Sequence, residues 1–427
     1  MIELTGQYPD LAERFVALRD GLAVSTPDTL ALERREMAEA LESVVAEIRA
    51  RPGFADFLRP SPVGRLAVAA SDGPIAIINV SRFGSHALLL TRNGAEEPVP
   101  LPDLTPDRVR QQVIDFLTAL DETQASADAE QRLTAALEWL WDAVTGPVLD
   151  ILGLFGPPTD VSWPRLWWCV PGLLSLLPLH AAGYHLTRFD AAPRTVLDRA
   201  VSSYTPTIKA LIHARRGRPG AGSGRIGIPE REGEILAVAM GHTPDAPDLP
   251  GAEGETDALR QLLPERVLAL VGAQATHDGV IEALRSARWV HFACHGSADP
   301  ASPSRSHLLL YDHVERPLTT ADVAHIDLGE ADLAFMSACY TARTALTDEA
   351  IHLASAFQLA GYRHVIGTLW PIRDYVAVRL TRDFYAGLVD SGTAETAAFA
   401  LHAATRRMRD RSPLTPSVWA SHIHSGP

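Results

Sequence analysis

The sequence predicts an α/β fold with a mostly parallel sheet flanked by helices, and two observations support it. From residue 235 onward, short apolar runs of strand length alternate with amphipathic runs of helix length. Such alternation is typical of βαβ units, which form parallel sheets covered by helices on both faces. Composition agrees, because 46% hydrophobic and 21% charged residues are ordinary values for a globular chain with a sizeable core.

The regular second half, residues 234–427, is predicted as one domain. Thr276 is the expected N-cap of one of its helices, because its hydroxyl can accept a bond from the exposed N–H groups there. The predicted strands span 235–240, 266–271, 289–294, 333–338 and 364–369. The predicted helices span 253–263, 276–286, 318–325, 349–359, 375–388 and 394–408.

Three further parts are predicted before this domain. Residues 1–60 form a helical segment, in which 30–50 has apolar residues at helical spacing and stops at Arg51-Pro52-Gly53. Residues 61–213 mix predicted strands with helices over 107–120 and 129–144. Residues 214–233, rich in Gly, Arg and Pro, predict a flexible linker or an exposed loop. The strands predicted before this linker span 74–80, 87–91, 166–170 and 201–204.

Charge and cysteine usage limit the class of partner and compartment. The formal net charge of -14 argues against nucleic acid or an anionic membrane surface, since both attract basic patches. Cys169, Cys294 and Cys339 are few and far apart, so a reducing compartment is favoured over a disulfide framework. The N-terminus lacks a signal-peptide pattern, and the apolar run at 166–179 is too short to span a bilayer. We expect a cytoplasmic protein.

Two predicted strands end in residues that can perform chemistry together. Cys294-His295-Gly296 closes one strand, and Ser337-Ala338-Cys339 closes another. The carboxyl ends of parallel strands share one edge of a sheet, so His295 and Cys339 should emerge side by side. A thiol activated by an imidazole is the arrangement that nucleophilic catalysis requires. The backbone N–H groups of Gly296 and Cys339 could form an oxyanion hole.

Each of these signals has an alternative interpretation. His-Gly at a strand end is common, and a lone cysteine on an apolar strand is usually a small core residue. A metal site at His291, Cys294 and His295 is disfavoured, because Cys294 points away from the face that the two histidines share and these lie about 13 Å apart along a strand. We therefore expect no metal and no cofactor, with Cys294 and Cys169 buried.

Several ordered motifs resemble the CHAT domain family of caspase-like cysteine peptidases, relatives of caspases and separase that often follow TPR repeats. The resemblance lies in motifs along the second half and in fainter ones of the first half. Val418-Trp419-Ala420 resembles the last strand of the family. The motifs of the second half are Leu249-Pro250-Gly251-Ala252-Glu253, His291-Phe292-Ala293-Cys294-His295-Gly296, Ser337-Ala338-Cys339 and Leu369-Trp370-Pro371. Those of the first half are Asn79-Val80-Ser81 and Leu176-Leu177-Pro178-Leu179-His180.

The resemblance implies a caspase-like catalytic domain at 234–427, preceded by a degenerate caspase-like half at 61–213. It implies His295 and Cys339 as the catalytic dyad of an endopeptidase acting on a protein substrate, under a regulatory protein partner. Residues 1–60 would be a remnant of, or substitute for, a TPR region. Several family members act in bacterial defence or cell death, so the same setting is an expectation here.

Substrate specificity is not carried over from the family. Tyr340 follows the nucleophile, where the family more often has Glu or Gln. Asp348, Glu349 and Asp374 could receive a basic substrate residue, although acidic residues at a helix start also stabilise its dipole. Trp370 either walls the pocket or packs at its strand end.

The competing function is a non-catalytic signalling or scaffold module, because caspase-like folds can lose activity. A pseudo-enzyme usually lacks one member of the dyad, and here both residues are present. A small-molecule thiol hydrolase or acyltransferase is a third class, without a supporting feature in the sequence.

Overall fold

The structure is a computed structural model of the chain. It describes residues 4, 7–24, 31–55, 57–59, 63–123, 126, 128–158, 162–215, 227–231, 233–297, 305–326, 328, 331–337 and 353–427. The chain divides into two compact units, Met1–Arg65 and Leu66–Pro427.

The first unit contains two long helices, α1 (Pro9–Val24) and α2 (Ala31–Arg49). Their apolar faces form a small core around Phe15 and Ile48. The predicted helix over 30–50 is thus confirmed to within one residue at each end.

The second unit contains a large sheet covered by helices. Its strands are β1 (Ile75–Asn79), β2 (His86–Thr91), β3 (Gly94–Ala95), β4 (Val99–Pro100), β5 (Arg165–Cys169), β6 (Val201–Tyr204), β7 (Ile235–Ala239), β8 (Val267–Val271), β9 (Trp289–Ala293), β10 (His295–Ser297), β11 (His307–Leu309), β12 (Leu318–Thr319), β13 (Leu333–Met336), β14 (His364–Thr368) and β15 (His422–Ser425). Its helices are α3 (Val63–Ala67, which begins just before the unit), α4 (Pro106–Glu122), α5 (Ala129–Leu140), α6 (Gly146–Ile151), α7 (Ile208–Arg215), α8 (Gly251–Leu262), α9 (His277–Leu284), α10 (Thr320–His325), α11 (Leu353–Ala360), α12 (Asp374–Ser391), α13 (Ala397–Arg411) and α14 (Pro416–Trp419).

The described residues form a twelve-stranded sheet with the order β3-β2-β1-β5-β6-β15-β14-β13-β9-β7-β8, and β4 pairs with β2. Most of it consists of two parallel blocks, and β2, β3 and β4 add antiparallel pairs at one edge. In one block β1, β5, β6 and β15 run parallel, and in the other β14, β13, β9, β7 and β8 do. The antiparallel pair β14–β15 joins them, so the C-terminal strand connects the two halves. The mostly parallel α/β sheet is therefore as predicted.

The apolar runs of the sequence explain why the strands of the second block form. Its strands β7, β9, β13 and β14 are buried along their whole length, as expected for strands covered on both faces. The hydroxyl of Thr276 accepts a hydrogen bond from the N–H of Gly279, which confirms the predicted N-cap of α9. A small separate sheet, β10-β11-β12, continues directly from the end of β9.

The end of the chain differs from the prediction. Val418-Trp419-Ala420 was expected to belong to the last strand, but Val418 and Trp419 lie in the short helix α14, and the strand begins at His422. Pro416 explains the difference, because its fixed φ favours the first turn of a helix. The predicted boundaries at 60, 213 and 233 stay predictions. The described sheet passes through both predicted halves.

No helix in the described part of the chain is both long and apolar enough to cross a membrane.

Candidate active site

The two strands that lead to His295 and Cys339 are direct neighbours in the sheet. β9 and β13 run parallel, and Phe292 is paired with Met336 at their carboxyl ends. His295 follows Phe292 by three residues, and Cys339 follows Met336 by three residues. The register therefore directs both chain segments to the same edge of the sheet. Ser337 extends this pairing, since its N–H donates to the carbonyl of Phe292 over 2.9 Å.

His295 is held by a backbone carbonyl. Its Nε2 lies 2.7 Å from the carbonyl oxygen of Pro247, in the loop between β7 and α8. A carbonyl oxygen can only accept, so the proton of the neutral ring sits on Nε2. Nδ1 is then the nitrogen that can accept a proton, and the tautomer suits a general base. Gly296 lies beside it in β10, opposite Leu308 of β11.

Four residues of the predicted site lie outside the described residues: Cys339, Tyr340, Asp348 and Glu349. The described chain stops at Ser337 and resumes at Leu353.

A buried carboxylate lies beneath the end of β13. Glu255 of α8 is 4% exposed and accepts hydrogen bonds from Ser337 Oγ at 3.1 Å and Thr381 Oγ1 at 2.7 Å. Its Oε2 also lies 3.2 Å from Nε2 of His291, at ion-pair distance but without hydrogen-bond alignment. Glu255 thus ties the end of β13 to α8, β9 and α12.

Tyr385 completes this group of residues. Burial, and next the nearby charge of Glu255, raise the pKa of Tyr385 well above its ordinary value, so the phenol stays protonated. Its O–H can donate to Nδ1 of His291 over 3.3 Å, and the ring of His291 stacks on Phe335 with centroids 4.9 Å apart. His291 is therefore a buried structural histidine.

Trp370 and Asp374 line a narrow cleft that opens beside Ser337. The cleft has a volume of about 20 Å³, and Leu249, Cys294 and Thr368 also contribute to it. Trp370 is 2% exposed, packs edge-on against Phe116 and donates its ring N–H to the carbonyl of Ser417. It is therefore both a packed aromatic and part of the cleft wall.

Asp374 begins α12, and its Oδ2 accepts a hydrogen bond from the N–H of Gly251 at 3.2 Å. This bond joins the start of α12 to the start of α8, so Asp374 has a structural role at the rim of the cleft.

The structure adds site residues that the sequence prediction missed, namely Pro247, Glu255 and Thr381. A signal for Glu255 was present: it shares the buried face of α8 with Ala252 and Leu259, at helical spacing. An acidic residue on an apolar face is almost never buried without a partner. Pro247 acts through its backbone carbonyl, for which a sequence carries no signal.

Cys294 and Cys169 are the two other cysteines of the chain. Cys294 and Cys169 are buried, as predicted. Within the described residues, no group of three or more His, Cys, Asp and Glu side chains could hold a metal ion.

Comparison with solved structures shows a fold similar to that of separase. Two crystal structures of the Saccharomyces cerevisiae separase–securin complex match it with TM-scores of 0.55 and 0.59, each at 10% identity. The matches cover 92% and 93% of this chain but only 33% and 32% of the matched chains, so this chain spans about a third of their length. At this identity the likeness shows a shared fold.

The CHAT domain family matches residues 134–427. Because this match covers more than half of the chain, the chain belongs to the CHAT domain family. The Arg-specific cysteine proteinase gingipain R is also similar, with 12% identity and a TM-score of 0.40 over 71% of this chain and 68% of that one. A search of curated proteins finds no match.

Proposed function

We propose that this chain is a cysteine endopeptidase that cleaves a protein substrate through His295 and Cys339. The observation that carries the proposal is the position of His295. It stands at the carboxyl end of β9, beside the strand that leads to Cys339, and its Nε2 is held by the carbonyl of Pro247. That hydrogen bond leaves Nδ1 as the acceptor that a general base needs.

In the proposed mechanism, Nδ1 of His295 takes the proton of the Cys339 thiol. The sulfur then attacks the carbonyl carbon of the scissile peptide bond. The N–H groups of Gly296 and Cys339 stabilise the oxyanion, a contribution of about 3–4 kcal/mol per donor. Collapse of the intermediate breaks the C–N bond, and His295 returns the proton to the leaving amine. Water then hydrolyses the thioester, which regenerates the thiol.

We further propose that the cleft at Trp370 and Asp374 belongs to the substrate pocket, with Tyr340, Asp348 and Glu349 at its border. Among the described residues, Glu255 contributes a buried carboxylate to the wall and Asp374 one at the rim. A cleft of this kind favours a substrate side chain with a positive charge.

We also propose that the peptidase is latent, that is, inactive in the absence of a partner. A volume of about 20 Å³ holds about one water molecule, which is far smaller than an amino-acid side chain. As the described residues line it, the cleft would have to widen to take a substrate side chain. This supports a peptidase that stays inactive until a regulatory protein partner binds.

Labelling with an electrophilic peptide ketone tests the proposal. The label should attach to Cys339, as mapped by mass spectrometry, and His295→Ala should slow labelling about 10²–10⁴-fold. His307→Ala, on the adjacent strand β11, is the matched control and should label like wild type. Labelling that persists unchanged in Cys339→Ala would refute the assignment.

A non-catalytic scaffold is the second candidate, and the narrow cleft is the observation that favours it. The two candidates differ in one result. A scaffold stays unlabelled at Cys339 under every activating condition, including binding of its partner, whereas a latent peptidase becomes labelled once the cleft has widened.

A further inference from the structure

A second and larger groove runs between α8 and α12. Its volume is about 720 Å³, and its walls include Pro250, Gly254, Tyr375 and Val378. The two helices approach closely here, because a Cβ atom on Gly254 would lie 3.1 Å from Val378. The floor of the groove is therefore partly backbone, and its outer rim is formed by the long side chains of α12.

The groove carries positive charge that the described residues do not fully neutralise. Arg379 and Arg382 on its rim are exposed, and neither has a carboxylate within 4 Å in the described ranges. The acidic residues of the groove neutralise only part of this charge. Asp383 pairs with Arg407 at 3.4 Å, and Asp374 accepts a hydrogen bond from the backbone N–H of Gly251. Arg379 and Arg382 thus give the groove a small excess of positive charge on a chain of net charge -14.

The groove lies next to the narrow cleft of the candidate active site. Asp374 lines both the narrow cleft beside Ser337 and this groove. From there, Tyr375, Arg379 and Arg382 follow at spacings of four and three residues, which places them along one face of α12. Tyr375 is 62% exposed and offers an aromatic surface beside the two guanidinium groups.

We propose that this groove is the docking site for an acidic segment of the polypeptide substrate, adjacent to the bond that is cut. That the docked segment belongs to a substrate rests on the proposed peptidase function. The preference of the two guanidinium groups for carboxylates does not depend on it. Guanidinium groups prefer carboxylates and bind them in bidentate fashion. Two of them on one helix face, with no carboxylate partner among the described residues, fit Glu or Asp side chains of an extended peptide.

Fluorescence anisotropy tests the docking site in the full chain carrying Cys339→Ala, so that cleavage does not interfere. The probe is a fluorescein-labelled peptide of alternating Glu and Gly, and its Gln–Gly counterpart is the reference. At about 50 mM salt the Glu peptide should bind at least about tenfold more tightly than the Gln peptide. Its affinity should fall at about 300 mM salt, because exposed charge pairs are screened.

Charge reversal locates the contact. Arg379→Glu with Arg382→Glu should weaken Glu-peptide binding about tenfold or more. Arg92→Glu with Arg108→Glu changes the net charge by the same amount at exposed sites of the first half and should bind like wild type. Equal loss in both double variants, or no loss in the α12 variant, would overturn the docking site. Circular dichroism melting confirms that each variant is folded.

The docking site and the peptidase can fail independently. Labelling of Cys339 in wild type without binding of the Glu peptide overturns the docking site and leaves the proposed function standing. Binding of the Glu peptide that depends on Arg379 and Arg382, without labelling of Cys339, supports the docking site and counts against the peptidase.

Discussion

Replacing Glu255 by alanine should destabilise the Leu66–Pro427 unit by about 3–5 kcal/mol. The carboxylate is the acceptor for Ser337 Oγ and Thr381 Oγ1, and it faces Nε2 of His291 at 3.2 Å. Alanine would leave these groups without that acceptor in a buried place, and each buried polar group that loses its partner costs about 1–3 kcal/mol.

Two further variants separate the hydrogen bonds from the charge. Glu255→Gln keeps the size and one acceptor oxygen, so it should cost less than alanine, about 1–3 kcal/mol. Thr381→Val removes one donor while keeping the shape of the side chain, and should cost about 1–2 kcal/mol. Glu253→Ala, exposed on the same helix, is the matched control and should stay within about 0.5–1 kcal/mol of wild type.

Denaturant unfolding followed by tryptophan fluorescence measures these differences. All eight tryptophans lie between Trp139 and Trp419, so the signal reports the second unit alone. A midpoint of Glu255→Ala that equals the midpoint of Glu253→Ala would refute the argument that Glu255 is a buried, fully engaged carboxylate. An equal cost for the alanine and glutamine variants would show that the charge, and not the hydrogen-bond acceptor, carries the stability.

Two other predictions concern stability. Burial lowers the pKa of His402 and of His422 to about 3, so between pH 6.5 and 3 the unfolded state binds more protons than the folded state. Stability should therefore fall by about 1.4 kcal/mol per pH unit for each histidine as the pH drops through that range, and equal denaturation midpoints at pH 7 and 5 would contradict this. Gly361→Ala should cost more than about 2 kcal/mol, because its φ is +126° and a Cβ atom would lie 2.5 Å from the carbonyl oxygen of Leu328. Gly392→Ala, with φ at +76° and nothing within 4 Å, should cost only about 1 kcal/mol, and thermal melts of the two variants that coincide would disprove the close contact.

Periodicity and strand-length apolar runs predicted most of the fold. The strands β7, β9, β13 and β14 are buried on both faces, and burial of that kind leaves a plain apolar signal in the sequence. The connection between the halves was not predictable in the same way. β15 reads His422-Ile423-His424-Ser425, and its polar His424 bonds to Ser203 of β6 and to His364 of β14, inside the sheet. Pairing between side chains far apart in sequence leaves no local pattern.

The candidate site was predictable to the extent that it depends on strand ends. His295 follows the end of β9, and the parallel register places the ends of β9 and β13 at the same edge of the sheet. The supporting contacts come from the loop carbonyl of Pro247, which holds His295, and from Glu255, which holds Ser337 and is 40 residues away from His295 in sequence. Backbone acceptors and contacts between distant elements depend on tertiary packing, so sequence patterns alone do not specify them.

The most direct test is the pH dependence of Cys339 alkylation by iodoacetamide, followed residue by residue with mass spectrometry. Buried Cys169 and Cys294 serve as internal references. If His295 activates Cys339, alkylation of wild type should titrate with an apparent pKa well below about 8.5, and His295→Ala should return it to about 8.5. Identical profiles near 8.5 in both proteins would contradict the account of a catalytic dyad.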